Sequence, residues 1–133
     1  QDKERLMQIR EYLGMAFQIR DDIFDYYSND VGKPTGNDLR EGKITLPLLH
    51  TLLETEGTAE GDHCLELLRE RPITEAAVAH LTHYAIEHGG ITYAETRLAD
   101  YIHRAKELLY SYPESIYRSS LIALSDYIGS RTH

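Results

Sequence analysis

The sequence predicts an all-α protein, on three observations. Apolar residues recur at steps of three and four along most of the chain. No stretch shows the strict alternation of a half-buried strand. The periodic runs are separated by glycine, proline and threonine, residues that stop and start helices. By length the 133 residues make one domain's worth of chain, and a hydrophobic content of 41% is enough for a helical core.

The first element is the most informative. Leu6, Ile9, Leu13, Ala16, Phe17, Ile23, Phe24 and Tyr27 mark an amphipathic helix from about residue 3 to 28. On its other side Gly14, Gln18, Asp21, Asp22 and Asp25 fall within an arc of roughly 100°. Asp21 and Asp25 are one turn apart, a rise of about 6 Å, so their carboxylates can meet around a cation. Asp22 sits at the edge of this stripe. Gly14 costs helix stability and leaves a gap beside it. A solvated acidic face is the ordinary explanation of such a stripe.

The next stretch weighs against that explanation. Val31 to Lys43 holds Gly32, Gly36, Gly42 and Pro34, so the helix must end before it. Lys33, Arg40 and Lys43 bring positive charge close in sequence to the aspartates. Carboxylates followed by lysines suit a divalent metal whose shell is completed by phosphate, as Mg²⁺ usually is. The spacing does not fit an EF-hand, and there is no Walker A or G-x-G-x-x-G pattern.

Thr45, with Pro47 in the first turn, starts the next helix, which carries Leu48, Leu49, Leu52 and Leu53. Gly57 to Gly61 reads as a break, followed by a short helix from Asp62 to Glu70 that Pro72 stops. Thr74 caps a helix striped by Val78, Leu81, Ala85 and Ile86, ending at Gly89-Gly90. Ile91, Ala94, Leu98, Ile102, Ala105, Leu108 and Leu109 mark a long helix to about Ser111, ended by Pro113. A last helix carries Ile116, Leu121, Leu124 and Ile128.

The net charge of −8 argues against nucleic-acid binding and against attraction to an anionic membrane. Cys64 is the single cysteine, so no intrachain disulfide exists and a reducing, cytoplasmic setting fits. No apolar run reaches membrane-spanning length. His80, His83 and Glu87 share a helix face, but a zinc site needs a fuller ligand set, and surface histidines explain them. The tyrosines from Tyr93 to Tyr127 read as packing and rim residues. No Ser-His-Asp or Cys-His pairing stands out.

The stretch from Phe17 to Pro47 resembles the second aspartate-rich region of the trans-polyprenyl diphosphate synthases. Phe17, Gln18, Asp21, Asp22, Asp25, Gly32, Lys33, Asp38, Gly42, Lys43, Thr45 and Pro47 each fall on that pattern. The resemblance is sharp over about a quarter of the chain and loose beyond it. It implies the C-terminal helices of an isoprenoid-synthase-type bundle. It also implies a prenyltransferase that condenses isopentenyl diphosphate with an allylic diphosphate, using Mg²⁺. Asp21, Asp22 and Lys33 would carry catalysis. Asp21, Asp22 and Asp25 would hold metal, and Gln18, Lys33, Asp38 and Lys43 would contact substrate. Arg131 lies where the family often places basic residues near the diphosphate, or else in a solvated tail.

The family is more than twice this length and has an earlier aspartate-rich motif on another helix; no second D-D-x-x-D occurs here. The chain is therefore expected to be a partial domain, the C-terminal part of a larger enzyme, and inactive alone. An apolar face along Leu6, Ile9, Leu13, Ala16 and Ile23 is expected to be left uncovered and to drive association into a homodimer. Two rivals stay open: a class I terpene cyclase, and a non-catalytic helical module that keeps the motif as scaffold.

Overall fold

The computed structural model describes residues 2–27 and 36–130. Among them there are seven helices and no strand: α1 (Asp2–Phe24), α2 (Asn37–Arg40), α3 (Leu46–Glu54), α4 (Ala59–Arg69), α5 (Glu75–Glu87), α6 (Gly90–Tyr110) and α7 (Ile116–Ser130). The all-α expectation holds. No helix among the described residues is long and apolar enough to cross a membrane. The chain divides into two compact units. One is built from residues up to Asp21 and from Glu95 onward, the other from Asp22–Ala94.

In the first unit, α1 buries Ile9, Leu13, Ala16 and Ile19, and α6 buries Leu98, Ile102, Ala105 and Leu109. The rings of Tyr12 and Tyr101 lie 6.1 Å apart, and Arg5 donates to the Ser111 hydroxyl at 2.8 Å. Helix α7 buries only Ser125 and Ile128. Lys106 pairs with its Asp126 at 2.6 Å.

The buried progression on α1 is 9, 13, 16, 19, with Ile23 and Tyr26 continuing it in the second unit. This corrects the expected face in two ways. Leu6 and Phe17 are about half exposed, at 53% and 48%, while Ile19 and Tyr26 are inside. The stripe expected to lie uncovered is also mostly covered: Ile9, Leu13, Ala16 and Ile23 are all buried, and only Leu6 shows.

In the second unit α3, α4 and α5 pack on one another. Leu48, Cys64, Val78, Leu81, Tyr84, Ala85, Ile91 and Ala94 form the core. Helix α4 starts at Ala59 rather than Asp62. Thr58 accepts from the Gly61 N–H at 3.0 Å and caps the helix, which places Gly61 inside it. A Cβ on Gly61 would strike the Thr55 carbonyl, so the residue expected to break the helix is there for close approach. Thr74 caps α5 as expected, its hydroxyl accepting from the Ala77 N–H at 3.1 Å.

Candidate functional site

Helix α1 stops at Phe24, four residues short of the expected end. Tyr26 and Tyr27 donate backbone N–H to the carbonyls of Ile23 and Phe24, which tightens the last turn. Tyr26 then turns inward and is 5% exposed. Its hydroxyl lies 2.8 Å from the Thr45 hydroxyl and accepts from the Leu48 N–H at 3.2 Å. Thr45 occupies the N-cap position of α3, but its side chain makes no capping bond there. The Tyr26 phenol takes the cap's place at Leu48. Burial, opposed by these two hydrogen bonds, pushes the phenol up to about 12.

Asp25 therefore stands just beyond α1, not on it. Its carboxylate accepts from the backbone N–H of Asn37 at 3.0 Å and of Asp38 at 3.1 Å, and its carbonyl accepts from the Gly36 N–H at 2.8 Å. One residue thus ties the returning chain to the foot of the acidic helix. Asp22 is buried, at 8% exposed, on the inner side and not on the edge of a wet stripe. Asp21 and Gln18 are exposed on α1, and a Cβ at Gly14 would meet nothing within 4 Å.

The loop after Gly36 is held by its own turns. Lys43 donates its N–H to the Asp38 carbonyl at 2.7 Å, and Gly42 adopts φ +83°. The Lys43 side chain is exposed and pairs with the Glu41 carboxylate at 3.6 Å. Arg40 grips Glu75 with two bonds, Nε to Oε2 at 2.8 Å and Nη2 to Oε1 at 2.6 Å. That contact raises the guanidinium and lowers the Glu75 carboxyl relative to their ordinary ranges. Lys33 and Gly32 lie outside the described residues, as does Arg131. Among the described residues, no three His, Cys, Asp or Glu side chains form a ready-made metal site. His83 pairs with Glu87 at 2.9 Å on the surface, in keeping with the surface reading.

Sequence reasoning missed Tyr26 and Glu75. The phase of Ile9, Leu13, Ala16, Ile19 and Ile23 points to Tyr26 once Phe17 is left out of the face. Nothing in the pattern points to Glu75, which is 35 residues from Arg40.

The model of the polyprenyl synthetase family matches residues 1–85. The chain belongs to the polyprenyl synthetase family. Within that family it is similar to the octaprenyl diphosphate synthase of Haemophilus influenzae, with 34% identity over 92% of this chain and 37% of the relative. It is also similar to the nonaprenyl diphosphate synthase of Mycobacterium tuberculosis, with 37% identity over 96% and 38%. Among polyprenyl synthetase structures, a polyprenyl synthase from Caulobacter crescentus CB15 superposes with a TM-score of 0.83 at 34% identity, over 98% of this chain and 40% of that one. That protein was crystallised with calcium and isoprenyl diphosphate. The chain spans about two fifths of the length of these relatives.

Proposed function

We propose that this chain is the C-terminal part, a partial domain, of a magnesium-dependent prenyltransferase. The complete protein condenses isopentenyl diphosphate with an allylic diphosphate to make a polyprenyl diphosphate. The observation that carries this is the Asp25 anchor, which brings Asp38 and the Gly-Lys loop back to the end of the aspartate helix in a polyprenyl synthetase chain. Calcium and isoprenyl diphosphate bound to the Caulobacter relative support a divalent metal and a diphosphate as the ligands.

The donor chemistry fits a hard cation, because the aspartates offer only oxygen and the exposed Asp21 carboxylate is accessible. The chemistry a bound Mg²⁺ supplies is neutralisation of the diphosphate that leaves as the allylic C–O bond ionises. Asp21, exposed on α1, would be the direct ligand. Asp25, already bonded to two loop N–H groups, holds the loop and would meet the metal only through water. Asp22, being buried, is the weaker ligand. Lys43 and Lys33 would contact diphosphate oxygens, Asp38 orders the loop through its carbonyl, and Gln18 would lie beside the ionising allyl group.

A cytoplasmic homodimer is part of the proposal. In the first unit an apolar cleft of about 290 Å³, lined by Leu6, Leu109, Tyr117 and Leu121 among others, supports a protein contact there. The test of function is to incubate the complete protein with Mg²⁺, labelled isopentenyl diphosphate and an allylic diphosphate. A lengthened linear diphosphate supports the reading. A cyclic product from the allylic substrate alone would make it a terpene cyclase, and no turnover would leave the motif as scaffold.

A further inference from the structure

We propose that Glu75 is a positioning residue that sets the diphosphate-contacting loop through Arg40; this rests on the prenyltransferase reading above. Helix α2 has four residues, too few to hold a helical turn by itself. Its direction must come from what it is fastened to. At its far end Arg40 meets Glu75 in a two-bond fork, at 2.8 and 2.6 Å. A planar guanidinium on a planar carboxylate fixes rotation as well as distance.

At the near end Gly36, with φ +77°, sits against Val78, where a Cβ would overlap the Val78 Cγ1. Glu75 and Val78 are three residues apart and so share one face of α5. Helix α2 is pinned at both ends to that face, and the Thr74 cap holds the first turn of α5 firm. From the pinned turn the chain closes back on Asp38, whose carbonyl accepts from Glu41 at 3.1 Å and Lys43 at 2.7 Å. The backbone that carries Lys43 is therefore oriented by the Arg40–Glu75 fork at one end of α2 together with the Asp25 bonds to Gly36, Asn37 and Asp38 at the other.

The side chain of Glu75 is 72% exposed. A pair this wet adds little stability, so its contribution is one of geometry. The test uses the complete protein in steady-state elongation. Glu75→Gln is expected to raise KM for the allylic diphosphate about fivefold, with kcat within about twofold and the melting temperature unchanged. Arg40→Met is expected to do the same, and Glu75→Gln is expected to add nothing in the Arg40→Met background. An unchanged KM in Glu75→Gln overturns the proposal. So does a KM effect that persists in the Arg40→Met background, or a melting-temperature fall that accompanies it. A wild-type protein without elongation removes the prenyltransferase reading itself, and this proposal with it.

Discussion

The Asp25 carboxylate accepts the backbone N–H of Asn37 at 3.0 Å, joining the foot of the aspartate helix to a loop 12 residues further on. With the matching bond to Asp38 at 3.1 Å, this one carboxylate accepts from two successive loop N–H groups. Asp25→Ala is therefore expected to lower the unfolding free energy by about 1–2 kcal/mol, since hydrogen bonds to a charged group are strong, while the Asn37 N–H is exposed and the Asp38 N–H only part-buried. Urea unfolding of the complete protein checks this, and Asp25→Asn, which keeps an acceptor, should recover part of the loss. An Asp25→Ala melt that overlays the wild type would contradict it.

Tyr26 gives a pH-dependent prediction. Its folded phenol is raised to about 12, from an ordinary value of 10.0. A raised pKa means that the folded state keeps a proton the unfolded state releases. The stability is thus fully present below pH 10 and is lost as pH climbs toward 12. A rise of that size corresponds to about 2–3 kcal/mol. The Tyr26→Phe variant should lose stability at neutral pH, because the Leu48 N–H is left without its acceptor, and should unfold with a shallower slope between pH 10 and 12. Parallel slopes for the two proteins across that window would show that another group governs the alkaline transition.

Lys43 should separate binding from folding. Its side chain is 68% exposed, so Lys43→Ala removes no packing. The expected result is a weaker use of the allylic diphosphate, about tenfold in kcat/KM, with the melting temperature unchanged. Lys33→Ala is expected to act in the same direction. A fall in melting temperature that matched the activity loss would make the lysine structural.

The fold class, the starts of α3 and α5 and the span of α6 follow from local signals. The Thr74 cap, Pro47 and the 3.6-residue period act within a few residues, so they can be read without the rest of the chain. The site was legible as a set of residue types, because aspartates and lysines at motif spacing state their chemistry directly. Their arrangement was less so. Whether Asp25 closes a helix or leaves it depends on Tyr26 finding Thr45 and Leu48, a choice made by tertiary packing. The phase of α1 was misread because Phe17 and Leu6, which fit the apolar spacing, are half exposed while Ile19 is inside. Gly61 looked like a breaker, although the Thr55 carbonyl that requires it approaches from the preceding turn.

Asp21 tests the central claim, that the exposed carboxylate on α1 holds the metal that lets the diphosphate leave. The measurement is the magnesium-dependent rate of prenyl chain elongation by the complete protein and by its Asp21→Ala variant, with thermal melts alongside. The account predicts that the variant melts like the wild type but elongates on the order of a hundred- to a thousandfold more slowly, the scale of losing a preorganised charge stabiliser. An Asp21→Ala protein that elongates within a few-fold of the wild-type rate, or one that loses no more rate than Asp25→Ala, would contradict it.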